Sequence, residues 1–137
     1  MRLPTWLWIG EATWTARAAT AAVPGLSVTA VASPTRTTWS MGDGAMVICR
    51  GPGTPYPRAA DPKSSSPTCG HVYTASSAGR PGDAFGVTAT ITWIITWTGG
   101  GAAGTLPTLS TTARIALRVA ESQAVLTRPN NEPNGER

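Results

Sequence analysis

Phe85, Val87, Ala89, Ile91, Trp93, Ile95 and Trp97 take every second position of one stretch, and Thr88, Thr90, Thr92, Thr96 and Thr98 stand between them, interrupted by Ile94. Alternation of period two turns the large apolar side chains to one side of a β-strand, so this strand packs one face and wets the other. At ~3.4 Å per residue it spans roughly 45 Å, against a usual strand of ~5–6 residues. Such a length predicts a strand that bends, or runs past the core as a ribbon. The answering pattern puts Leu109, Thr111, Ala113, Ile115, Leu117 and Val119 on one face and Ser110, Thr112, Arg114, Ala116 and Arg118 on the other. Gly99-Gly100-Gly101-Ala102-Ala103-Gly104 reads as a flexible connector, and the two strands as a long C-terminal antiparallel β-hairpin.

Upstream, Leu26 to Ala32 reads as a strand stopped by Ser33-Pro34, and Arg36 to Met41 as the next, with Thr37, Trp39 and Met41 on one face. Gly42-Asp43-Gly44 then turns the chain: glycine reaches positive φ freely, and an Asp side chain bonds its own backbone two residues on. Ala45 to Cys49 follows as a strand. A long proline-rich loop over 50–68 carries Tyr56, and Gly70-His71-Val72-Tyr73-Thr74 follows it. In the first 24 residues, Trp6-Leu7-Trp8-Ile9 is an apolar strand or strap. The alanine-rich stretch from Ala12 to Ala22 carries Thr13, Thr15 and Thr20 and ends near Pro24, which favours extended chain over helix. The expected organisation is an N-terminal apolar segment (1–24), an all-β sandwich domain (25–126) and a disordered polar tail (127–137).

Composition sharpens this picture. Charged residues make up 13% of the chain, about half the ~25% of an average soluble domain, and threonine, serine, alanine and glycine fill the difference. The net charge of +4 is spread along the chain without interleaved aromatics, so nucleic acid is excluded as a partner. Cys49 and Cys69 bracket the proline-rich loop and are the only cysteines. With no Cys-x-x-Cys or histidine cluster beside them, they read as a disulfide formed in an oxidising compartment. No stretch approaches the ~20 apolar residues of a transmembrane helix. The expected location is extracellular or in the cell envelope, with the export signal upstream of Met1, since the run at Trp6 is shorter than a secretory core of ~7–15 residues.

One resemblance orders these observations. Thr38-Trp39-Ser40-Met41-Gly42-Asp43-Gly44 resembles the W-x-F-G-D-G signature of PKD (polycystic kidney disease) domains, and His71-Val72-Tyr73 is similar to the H-x-Y that follows it. Ala84 to Thr90 is similar to the G-x-Y-x-V-x-L-x-V strand of that family. Met41 stands where phenylalanine is usual, the cysteine-bounded loop is inserted between the motifs, and Gly86 departs from the pattern beside Phe85. The Gly-Pro-Gly-Thr-Pro-Tyr and Pro-Thr-Cys-Gly-His stretches add a resemblance to exported actinobacterial proteins with PKD-like domains. The resemblance implies an immunoglobulin-like β-sandwich, used as an extracellular spacer or adhesion module for protein or carbohydrate. It also implies that Trp39, Met41, Gly42, Asp43, Gly44, His71 and Tyr73 form a structural motif.

Against that expectation stand the chemical candidates. His71, the one histidine, with Asp43 and Ser40 suggests a catalytic group, but triads are recognised by geometry. Asp43 with Asp61 or Asp83 suggests calcium, which takes six to eight oxygens; the acidic residues are too few and too dispersed, so no metal and no cofactor are expected. The Gly99–Gly104 run lacks the Gly-Lys-Ser/Thr and the helix of a phosphate loop. Trp93 and Trp97, ~13 Å apart on one strand face, with Tyr56 in the loop, form the possible ligand surface. The expected function is thus non-enzymatic, a spacer or interaction module making protein contacts, with a carbohydrate-binding module as the alternative.

Overall fold

A computed structural model describes residues 1–120; the expected domain end at 126 and the tail over 127–137 lie outside the described residues. Among the described residues seven strands form: β1 (Leu3–Trp6), β2 (Arg17–Val23), β3 (Leu26–Ser40), β4 (Met46–Cys49), β5 (Gly70–Tyr73), β6 (Phe85–Gly99) and β7 (Ala102–Leu117), with one 3-10 turn at Pro81–Asp83. They build two antiparallel sheets: a five-stranded sheet of order β2-β3-β6-β7, with β4 also on β3, and a two-stranded layer of β1 and β5. The architecture is all-β and consistent with a β-sandwich.

Ser33-Pro34 does not end a strand. The chain runs on as one strand, because Thr35 is absorbed as a bulge: Pro34 faces Trp93 while Arg36 already faces Thr92. A bulge is where a sheet tolerates a proline that cannot donate, and the Thr35 hydroxyl donates to the Thr92 carbonyl at 3.0 Å. At the same level on the other side of β6, Trp93 pairs with Leu109 and Ile95 with Leu106, so Pro107 and Thr108 together oppose Ile94. Two bulges thus flank β6 and divide the long sheet into a body and a distal arm.

The expected connector at 99–104 is also shorter than its composition suggests. Pairing continues to Gly99 opposite Ala102, leaving only Gly100 and Gly101 as the turn, at φ 58° and 77°. Positive φ at both positions matches the twist of the flanking strands. At the same end of the arm, Pro24-Gly25 joins β2 to β3, with register kept from Arg17–Ala32 to Val23–Leu26.

The first 24 residues belong to both sheets. β1 pairs with β5, Leu3 opposite Tyr73 and Trp6 opposite Gly70, and β2 is the edge of the large sheet. The segment between them bonds the loop over 50–68: the Ile9 N–H donates to the Pro52 carbonyl at 2.7 Å and Trp8 bridges to Gly53. Beneath this layer lies the core, where Leu7, Trp39, Met41, Tyr73, Phe85 and Val87 are buried together with the Cys49–Cys69 disulfide.

Candidate functional site

Met41 to Ala45 closes as a tight turn, the Met41 N–H donating to the Ala45 carbonyl at 3.0 Å. Gly42 sits at φ 80°, and a Cβ there would lie 2.9 Å from the Gly86 carbonyl oxygen, so the position requires glycine for both conformation and space. Asp43 uses both oxygens. One accepts the Ala45 N–H at 3.0 Å, and the other lies 2.7 Å from His71 Nε2. Tyr73, buried and stacked on Phe85 at 4.6 Å, donates its hydroxyl to the Met41 carbonyl at 2.8 Å. Arg80 donates to the Gly42 carbonyl at 3.1 Å and lies 4.5 Å over the Phe85 ring.

These contacts set the electrostatics of the corner. Burial pushes the Asp43 carboxyl up, but the His71 hydrogen bond, the Ala45 N–H and the imidazole charge outweigh it and hold it below the ordinary value of 3.8. Burial, reinforced by the Asp43 charge, pushes the Tyr73 phenol up to about 12. Met41, Gly42, Asp43, His71 and Tyr73 are thus brought into one constellation, and Gly44 completes the turn at φ 93°. Trp39 packs in the core one step back along β3, its Nε1–H donating to Thr37 Oγ1 at 3.0 Å. Ser40 pairs with Thr88 in the sheet, on the face opposite to Trp39, so it does not extend the His71–Asp43 pair into a triad. The other two aspartates considered as metal ligands bind their own loops: Asp61 accepts the Lys63 N–H at 2.8 Å and Asp83 the Gly79 N–H at 3.0 Å.

The three aromatic candidates occupy three separate places. Trp93 is buried, 6% exposed, and its Nε1–H donates to Thr111 Oγ1 at 2.9 Å; it offers no free face. Trp97 lies on the arm, half-buried, opposite Ala30 and Gly104. A Cβ on Gly104 would meet its indole nitrogen at 2.6 Å, so the ring rests on the bare backbone of β7. Tyr56 packs against Trp6, edge to face at 5.3 Å, and donates to the Ala60 carbonyl at 3.1 Å.

Sequence reasoning placed Trp8 only in the N-terminal apolar segment. It is 40% exposed and divides two apolar clefts, one of about 440 Å³ against Trp39, Ile91 and Ile115, and one of about 350 Å³ against Tyr56, Leu117 and Arg118. Arg80 was missed, since nothing local in Arg80-Pro81-Gly82 reports a contact with residue 42. No helix among the described residues is long and apolar enough to cross a membrane. No known protein family, no curated protein and no solved structure matches the chain.

Proposed function

We propose that the chain is a non-enzymatic spacer and interaction module of an exported bacterial protein, a PKD-like variant of the immunoglobulin-type sandwich that makes protein contacts. The observation that carries this reading is the arm beyond the two bulges. Cross-strand partners share a face, so Trp97, Ala30 and Ala19 lie on one side with Ile95, Ala32, Val28 and Ala21. No residue of 17–33 or 94–108 belongs to the buried core, while Val23, Leu26 and Leu106 are 62%, 46% and 44% exposed. Arg17 is the single charged residue in those two stretches. An apolar sheet face normally packs on a second layer, and an uncovered one marks a contact surface.

Two further features support the reading. The Cys49–Cys69 bridge suits an oxidising compartment, and the one imidazole is engaged by the Asp43 turn. The test is a photo-crosslinking side chain placed at position 97 of the intact exported protein. Capture of one discrete surface protein, abolished by Ala30→Glu with the far-UV spectrum unchanged, is expected. Equal capture by the Ala30→Glu variant removes the arm as the docking face. The carbohydrate reading draws on the half-buried Trp97 resting against the backbone at Gly104, and glycan binding lost in Trp97→Ala is the outcome that favours it.

A further inference from the structure

The opposite face of the body sheet carries a different chemistry. In register across β3, β6 and β7, the side chains there form a grid of three rows. The middle row is Thr38, Thr90 and Thr112; Arg36 and Arg114 stand at diagonally opposite corners; positions 40, 88, 92 and 110 are all serine or threonine. Seven hydroxyls and two guanidinium groups therefore make up these three columns without a carboxylate or an aromatic ring, and the exposed Ile48 and Met46 of β4, opposite Thr38 and Ser40, border them at the β3 edge. At ~4.8 Å between strands and ~3.4 Å per residue, the two arginines stand roughly 17 Å apart.

Beyond the Arg114 corner lies a cleft of about 520 Å³, lined by Arg80 and Arg114 together with Gly42, Gly86, Phe85 and Ile115. Arg80 is held there by the Gly42 carbonyl and the Phe85 ring, so its guanidinium is pre-organised rather than free to wander. Among the described residues the one ion pair is His71–Asp43, which leaves Arg36, Arg80 and Arg114 without carboxylate partners. Guanidinium groups recognise carboxylate and phosphate by paired hydrogen bonds, and hydroxyls both donate and accept.

We propose that this face binds an extended anionic polyol, a glycan or glycan-like polymer whose carboxylates or phosphates meet the arginines while its hydroxyls lie on the threonine grid. The grid carries no aromatic ring, and Phe85 in the cleft is buried beneath Arg80, which separates the ligand from single-stranded nucleic acid, whose bases are held by stacking, and from neutral sugars that bind by ring contact. The site is independent of the arm, and neither proposal depends on the other.

The test is affinity electrophoresis of the whole chain through gels containing polygalacturonate, poly(glycerol phosphate) or neutral dextran, at about 0.15 M salt, where screening acts within ~8 Å. Retardation by one or both anionic polymers but not by dextran is expected, and which of them acts identifies the anionic group. Arg36→Gln/Arg114→Gln weakens it about tenfold, whereas the charge-matched Arg58→Gln/Lys63→Gln, in the loop over 50–68, leaves it within a factor of two. No retardation by either anionic polymer, equal retardation by dextran, or equal loss in both double variants overturns the proposal.

Discussion

Asp43 holds one end of a turn with one oxygen and His71 with the other, and its chemistry is therefore readable in solution. A carboxyl more acidic in the folded chain than in the unfolded one stabilises the fold above its ordinary pKa, and that contribution is lost as the pH falls through the folded value. Asp43, held below 3.8, places this loss at the acid end. Urea midpoints followed from neutral pH downward are expected to fall more steeply for the native chain than for Asp43→Asn. Tyr73 acts in the opposite direction: a phenol pushed up to about 12 keeps its stabilisation below the unfolded value near 10 and loses it as the pH rises from there. Tyr73→Phe removes the hydroxyl from a buried carbonyl at 2.8 Å, and denaturant titration is expected to show a loss of about 1–2 kcal/mol and a flatter alkaline limb. The turn was legible because its signals are local: glycine at two positive-φ sites and an aspartate that bonds the backbone two residues on. Arg80 was not, because its partners at 42 and 85 are joined to it by the fold alone.

Among the elements, hydrophobic alternation placed β6 and most of β7 correctly, since period two is a property of the strand itself. It erred at Pro34 and at Gly99 to Gly104, where proline and glycine stop a strand in isolation but are accommodated by a bulge and by close cross-strand packing. Glycine at 104 makes room for an indole from the neighbouring strand, which no reading of one strand reveals. Gly104→Val is expected to lift Trp97 off β7, seen as a shift in tryptophan emission, with little change in the unfolding midpoint because the displaced group is a side chain. The loop over 50–68 is pinned by the Cys49–Cys69 bridge across a separation of 20 residues and by Trp6, whose Nε1–H donates to the Ser64 carbonyl at 3.0 Å. Cys49→Ser/Cys69→Ser is expected to lower the unfolding free energy by roughly 3 kcal/mol, the loop-closure value for a ring of this size, measured by urea denaturation without reductant.

For the molecule as a whole, the division at the two bulges separates a body with a shared core from an arm that has none. Local opening follows buried apolar contact, so amides of 17–33 and 94–106 are expected to exchange with deuterium well before those of 70–73 and 85–92. Uniform protection along β6, measured by mass spectrometry, would show that the arm is covered by a partner already present. The all-β class and the ribbon were legible from the excess length of one alternating run. The docking of β1 on β5 was not, because strand pairing across so many intervening residues leaves no periodic trace in either segment.

The Gly100-Gly101 turn at the arm tip carries a mechanical corollary. Tension arriving through the C-terminal end of β7 meets the hairpin at its open mouth, where Leu117 faces Phe85. The rungs are then loaded one after another, as in a zipper, instead of all together in shear. β7 peels toward Gly101, first from the body and then from the arm, releasing up to ~3.4 Å of chain per residue freed, while the Cys49–Cys69 bridge stays closed. Loaded in this way, the hairpin gives way gradually under a tug and recoils when the pull is relaxed.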